Sequence, residues 1–183
     1  MRVISGFLKG RNIKGNKIKG TRPTMDKVKE SLFAIIQNSV KDAICLDLFA
    51  GSGSLGIEAI SNGASHVYFV DNSKTPYEII KNNIKSLNIE DKTDVFLSDY
   101  MKALYHFKRN NIKFDLIFID PPYKENPISD ILTFIDENNL LHDMGQVICE
   151  FSTADLAPEY GDLHMIKERQ YGDKTIKIYI NKK

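Results

Sequence analysis

Between residues 44 and 151, short apolar runs alternate with amphipathic stretches, and this alternation restricts the fold more than any other feature of the chain. The runs Ile44–Leu48, Val67–Val70, Asp94–Leu97, Phe114–Ile119 and Gln146–Phe151 read as strands. The intervening Leu55–Ile60, Pro76–Leu87, Tyr100–Lys108 and Ile128–Ile135 read as helices. Strands apolar on both faces must be covered on both faces, so the pattern predicts an α/β fold around a mostly parallel sheet. The end differs: His164–Tyr171 and Thr175–Ile180 alternate and meet around Gly172-Asp173, which predicts an antiparallel hairpin. A parallel sheet finished by such a hairpin is not the usual dinucleotide-binding layout. Ahead of it, Arg2–Gly6 and Arg11–Lys14 read as a small basic β-hairpin. A helix follows, capped by Thr24, with Met25, Val28, Leu32 and Ile35 on one face.

At 183 residues and 42% hydrophobic content, the chain can bury a core without a metal or disulfide staple. No apolar stretch is long enough for a membrane span, and the N-terminus has no signal-peptide pattern, so a cytoplasmic protein is expected. Cys45 and Cys149 lie within apolar strands and read as reduced core thiols. The four histidines show no metal-ligand spacing, and no metal site is assigned. Charge is unevenly placed. Up to Arg22 the chain carries Arg2, Lys9, Arg11, Lys14, Lys17, Lys19 and Arg22 with no Asp or Glu, leaving the rest net acidic. Basic residues interleaved with glycines suit a polyphosphate backbone, although an ordinary solvated loop has the same composition. The expected organisation is a basic extension over 1–22 followed by a domain over 23–183.

The segment from Asp47 to Gly56 turns from a strand into a helix, with Gly51 and Gly53 allowing a tight bend and close approach of a ligand. Gly51-x-Gly53-x-x-Gly56 also matches the dinucleotide fingerprint, so by itself it admits an oxidoreductase. Asp47 separates the two. A carboxylate beside the turn repels a pyrophosphate but attracts the ammonium of a cofactor bearing an amino acid, such as S-adenosylmethionine. Asp71, closing the second strand, can accept both ribose hydroxyls or cap the next helix. Asp99, after the third, can accept from an adenine amino group or cap its own helix; its place on the same sheet edge favours the ligand. Ser52, Asn72 and Tyr100 adjoin these positions and complete the cofactor-contacting set read from the strand ends.

The most specific motif is Asp120-Pro121-Pro122-Tyr123, directly after the apolar strand Phe114–Ile119. Two prolines stop the strand and fix the backbone, holding an acidic side chain and a carbonyl in one orientation. An exocyclic amine on a base is a poor nucleophile because its lone pair is delocalised. Asp120 and the Pro121 carbonyl could both accept its N–H groups and direct the lone pair at a methyl sulfonium, and Tyr123 could stack on the base. A plain proline-bounded turn is the simpler alternative.

These motifs together resemble the RsmD-type 16S ribosomal RNA guanine-N2 methyltransferases, over nearly the whole chain. The resemblance rests on Arg2–Gly6, Lys9-Gly10-Arg11, the Thr21–Glu30 segment, Asp47–Gly56, Asp120–Tyr123 and Tyr171-Gly172-Asp173. It implies a Rossmann-like class I S-adenosylmethionine-dependent methyltransferase with a seven-stranded sheet. It also implies methylation of the N2 amine of a guanine in 16S rRNA, within the small ribosomal subunit or an assembly intermediate. Arg22 and Thr24 would then lie near the cofactor, and Arg2, Lys9, Arg11 and Lys14 would grip RNA. Asp71 stands where that family more often has a glutamate, which shortens the reach to the ribose.

An adenine-N6 DNA or RNA methyltransferase would use the same four residues, but little of the chain is left over for a separate DNA-reading domain. A glutamine methyltransferase would usually carry Asn at position 120. A noncatalytic RNA-binding assembly factor would have no need to keep Asp47, Asp71 and Asp120. A monomer is expected.

Overall fold

The computed structural model describes residues 1–15, 22–122 and 126–183, with the backbone alone for residues 22–24. In chain order the elements are α1 (Arg22–Val40), β1 (Ile44–Asp47), α2 (Ser54–Ser61), β2 (His66–Asp71), α3 (Lys74–Leu87), a 3-10 turn (Glu90–Lys92), β3 (Thr93–Leu97), α4 (Tyr100–Arg109), β4 (Phe114–Ile119), α5 (Ile128–Glu137), β5 (Leu141–Phe151), β6 (Glu159–Tyr160), β7 (Leu163–Tyr171) and β8 (Lys174–Asn181). The sheet order is β3-β2-β1-β4-β5-β8-β7-β6. The first five strands are parallel and the last three antiparallel, giving the mixed α/β sheet expected from the alternation. Among the described residues the sheet has eight strands rather than seven, because the chain turns back on itself over 158–163 and adds the two-residue β6 at the edge.

The two faces of the sheet are separately packed. Cys45, Phe69, Phe118, Ile148, Ile176 and Ile178 pack beneath side chains of α1, α2 and α3. Leu46, Val70, Ile117, Ile119, Val147 and Tyr179 pack beneath α4 and α5. Cys45 and Cys149 are free and buried in these two layers. Burial raises both thiols well above their ordinary range, so neither is a nucleophile at neutral pH. No helix is long and apolar enough to cross a membrane among the described residues.

The start and the buried face of the first helix need correction. Helix α1 starts at Arg22, so Thr24 lies in its first turn instead of capping it. Its buried stripe is Val28, Leu32, Ile36 and Val40 at i+4 steps, with Phe33 alongside, while Met25 is 46% exposed. The basic segment doubles back as two antiparallel arms: Met1 and Ile13 exchange backbone hydrogen bonds, Val3 N–H donates to the Arg11 carbonyl and Gly10 N–H to the Val3 carbonyl. Arg2 and Asn12 form the antiparallel bridge between these arms, and neither arm extends into a longer strand. Backbone N–H groups not used between the arms are taken up by the helices. The N–H groups of Ile4 and Ser5 donate to the Glu58 carboxylate on α2, Phe7 N–H to the Ser61 carbonyl, and Lys14 N–H to Asn83 Oδ1 on α3. Val3, Leu8 and Ile13 meanwhile enter the core beneath α1–α3. The segment therefore pairs both with itself and with the helices, and Arg2, Lys9, Arg11 and Lys14 are left on its exposed side.

Candidate active site

The chain leaves β1 at Asp47 and must reverse into α2 within six residues, and the reversal is built on left-handed backbone at Gly51 (φ 57°) and Gly53 (φ 79°). Four neighbours hold the resulting loop. Gly51 N–H donates to Asp71 Oδ2 (3.0 Å), and Gly56 N–H donates to Asp47 Oδ2 (3.0 Å). Asn83 Nδ2 donates to the Ser52 carbonyl (3.0 Å), and Lys29 Nζ to Ser54 Oγ (3.0 Å). The glycines differ in role. A Cβ on Gly56 would lie 2.3 Å from the Phe69 ring, so this glycine lets α2 lie close on β2. A Cβ on Gly51 would meet nothing within 4 Å, so its α-carbon faces open space.

Strand register gathers three carboxylates on one face and one edge of the sheet. Asp47 pairs with Phe69 on β2 and with Phe118 on β4. Asp71 and Asp120 each lie two residues beyond those phenylalanines. Strand alternation therefore directs all three towards the α1–α3 side at the carboxyl ends of adjacent strands. The glycine loop and the Asp120-Pro121-Pro122 turn leave the sheet at that same end, joined by Leu48 N–H to the Phe118 carbonyl (3.1 Å). Burial, with further repulsion from Asp120 and Asp71, pushes Asp47 up to about 7 despite the Gly56 hydrogen bond. Asp120 is likewise pushed up to about 7, by burial first and then by Glu150, with Lys174 acting in the opposite sense. An edge that crowds carboxylates at this cost suits a ligand bringing positive charge.

The remaining sequence-read residues fall out unequally. Asp71 already uses both oxygens, Oδ2 towards Gly51 and Oδ1 accepting from Ser73 N–H (2.9 Å). Asp99 is the N-cap of α4, its Oδ1 accepting from Met101 and Lys102 N–H (2.9 and 3.2 Å). The capping alternative is therefore the one displayed. Asn72 follows Asp71 at the loop, and its Oδ1 accepts from Ser73 Oγ (3.1 Å). Tyr100 opens α4 with its ring 5.2 Å from Phe49, an aromatic wall beside the glycine loop that no sequence motif marks. Arg22 and Thr24 belong to α1, of which only the backbone is described there; Tyr123, Lys17 and Lys19 lie outside the described residues.

Other contributors are not among the residues singled out in the sequence. Lys29 and Glu58 form a buried ion pair (3.0 Å) that also binds the Arg2 carbonyl. Buried Asn83 spans from the Lys14 backbone to Ser52. Lys174 forms an ion pair with Glu150 beside Asp120. A charge inside the otherwise apolar helix Leu55–Ile60 is the available signal for Glu58; nothing local marks Asn83 or Lys174.

S-adenosylmethionine, the cofactor read from the sequence, fits this donor set. Gly51 offers an open approach, Asp47 a buried carboxylate for an ammonium, and Asp71 an acceptor at the next strand end. Among the described residues no group of three or more His, Cys, Asp or Glu is placed to hold a metal.

Comparison with known proteins gives the family. The family described as Conserved hypothetical protein 95 matches residues 1–180. The chain belongs to this family. Within this RsmD/YlbH family, YlbH of Bacillus subtilis, provisionally assigned as an rRNA methyltransferase, is 42% identical over 98% of this chain and 98% of its own. Ribosomal RNA small subunit methyltransferase D of Haemophilus influenzae is 32% identical over 99% of this chain and 94% of its own. Among solved structures, yhhF of Escherichia coli, a provisionally assigned methyltransferase, superimposes with a TM-score of 0.87 at 26% identity, covering 100% of this chain and 98% of that one. SMU.776, a provisionally assigned methyltransferase complexed with SAH, has a TM-score of 0.68 at 16% identity over 85% of this chain and 49% of that one, a likeness of fold alone.

Proposed function

We propose that this RsmD/YlbH family member transfers a methyl group from S-adenosylmethionine to the exocyclic N2 amine of a guanine in 16S rRNA, presented by the small ribosomal subunit or an assembly intermediate. The observation that carries the proposal is the convergence of Asp47, Asp71 and Asp120 on one face and one edge, around the open side of Gly51. The methyltransferase names of the relatives support the same reading.

The cofactor supplies a methyl group on a positively charged sulfur, which departs as a neutral thioether. Everything else falls to the protein. Asp47 holds the ammonium end, Gly51, Ser52 and Gly53 admit the ligand backbone, and Asp71 with Asn72 receives the ribose. Tyr100, Asp99, Arg22 and Thr24 surround the remainder. Asp120 and the Pro121 carbonyl accept the two N–H groups of the amine, Pro122 keeps the turn rigid, and Tyr123 stacks on the base. As the nitrogen lone pair forms the bond to carbon, Asp120 accepts the proton that the nitrogen sheds. A carboxyl with a pKa near 7 is better matched to that role than an ordinary aspartate. Arg2, Lys9, Arg11 and Lys14 meet the RNA backbone. We further propose that the protein acts as a monomer in the cytoplasm.

The test incubates the protein with labelled S-adenosylmethionine and, separately, 30S particles, naked 16S RNA, DNA and protein, then digests the product. Label in N2-methylguanosine from 30S particles or 16S RNA is expected. Label in adenine, DNA or protein rejects the substrate assignment.

A further inference from the structure

Asp120 is flanked by two charged residues that the family motifs do not include. The register Ile119–Cys149 on β4 and β5 sets Asp120 beside Glu150. The register Glu150–Ile176 on β5 and β8 sets Glu150 level with a residue two places after Lys174. Parallel and antiparallel partners share a face, and so do residues two apart on one strand. Asp120, Glu150 and Lys174 therefore all project towards the α1–α3 side at the active edge. Glu150 is mostly buried, and the Lys174 ammonium donates to its Oε1.

Lys174 is fixed there by the closing hairpin. It pairs with Tyr171 across the Gly172-Asp173 turn, and Tyr171 Oη hydrogen-bonds Ser31 Oγ on α1 (2.6 Å). The hairpin tip is thus tied to the helix that roofs this face. The charged groups acting on Asp120 among the described residues are Asp47 from β1, Glu150 from β5 and Lys174 from β8, with Asp173 acting on Lys174. Two of the three are anions. Lys174 is the sole cation of that set.

We propose that Lys174, oriented by Glu150, is a positioning residue that keeps Asp120 ionised during methyl transfer. The proposal rests on Asp120 being the acceptor of the amine. Burial works against the Lys174 ammonium, yet Asp120, Glu150 and Asp173 outweigh it and raise its pKa, so it stays charged throughout the working range. In the absence of that charge, Asp120 would face Asp47 and Glu150 alone and take up a proton at higher pH. A protonated Asp120 accepts the amine poorly and cannot receive its proton.

The experiment measures single-turnover methyl transfer to 30S particles or 16S RNA from pH 5.5 to 9 for the wild type, Lys174→Met, Lys174→Arg and Asp120→Asn. The expected result for Lys174→Met is an acid limb displaced upwards by about half a pH unit or more, with rates converging on wild type at high pH. Lys174→Arg, which keeps the charge, is expected to return the limb to its wild-type position, and cofactor Kd is expected to be unchanged in both. A merely structural lysine would lower rates equally at every pH. An acid limb that stays in place in Lys174→Met but vanishes in Asp120→Asn overturns the role of Lys174 while leaving that of Asp120. A limb that persists in Asp120→Asn overturns both. Should Lys174→Met fail to fold, Lys174→Gln gives the same comparison, and an unmoved limb there is equally fatal.

Discussion

Lys29 on α1 and Glu58 on α2 form an ion pair of 3.0 Å with side chains only 8% and 0% exposed, and the N-terminal segment is hung on it. Glu58 takes the N–H groups of Ile4 and Ser5, and Lys29 takes the Arg2 carbonyl and Ser54 Oγ at the end of the glycine loop. Breaking one partner of a buried pair strands the other charge. Lys29→Met is therefore expected to cost about 3–5 kcal/mol in denaturant unfolding. Hydrogen exchange is expected to show reduced protection at the amides of Ile4 and Ser5. The double variant Lys29→Met/Glu58→Gln is expected to lose clearly less than the sum of the single losses.

Gly51 and Gly56 separate fold from ligand. Gly56→Ala drives a methyl into Phe69 and Val67 and is expected to cost about 1–3 kcal/mol of stability or more. Gly51→Ala meets no atoms, so only its left-handed backbone is penalised, by about 1–2 kcal/mol. Its cofactor affinity is expected to fall far more than its stability does. Thermal melts with and without S-adenosylmethionine distinguish the two.

Most of the sheet is legible in the sequence because a strand buried on both faces leaves an apolar run in one short window. The Asp47–Gly56 turn and the double-proline turn are legible for a similar reason, since Gly and Pro constrain the backbone locally. Partners distant in sequence are not. Glu58 meets residues 53 and 54 positions away, and Asn83 meets Lys14 69 positions away, so no periodicity signals either. The doubling back of the N-terminal segment is legible, but its anchorage is not, since the N–H groups of Ile4 and Ser5 find a carboxylate on α2. Met25 fits an i, i+3, i+7 face, but the stripe that packs runs at i+4 steps from Val28.

The raised carboxyls set the pH dependence. Asp47 titrates near 4 when unfolded and about 7 when folded, so between those values the folded state binds the additional proton. Its contribution lowers stability as pH rises from about 4 to 7 and levels off above. Asp47→Asn is expected to flatten the apo-protein stability profile between pH 5 and 7, by up to ~1.4 kcal/mol per pH unit relative to wild type. If Asp47 holds the cofactor's ammonium, cofactor affinity is expected to climb as the carboxylate forms and to reach a plateau above about pH 7. Calorimetric titration across pH 5.5–8.5 checks this; a flat wild-type affinity contradicts it.

The exposed basic side chains on the N-terminal segment are expected to act by neutralising phosphates. Arg11 already has Nη2 on the Ser86 carbonyl, which holds it along α3, and Lys9 is exposed beside it. Replacing both with Ala is expected to weaken RNA binding and reduce the slope of log K against log salt by about 0.7 for each phosphate no longer neutralised. Cofactor affinity stays unchanged. An unaltered slope contradicts an RNA-gripping role for this surface.

The most direct measurement pairs the rate of one methyl-transfer turnover with cofactor Kd in Asp120→Ala. If the double-proline turn presents its carboxylate to an amine beside a cofactor seated over Gly51, the rate falls about 100-fold or more while Kd stays within about threefold of wild type. A variant that transfers methyl at close to the wild-type rate contradicts the account.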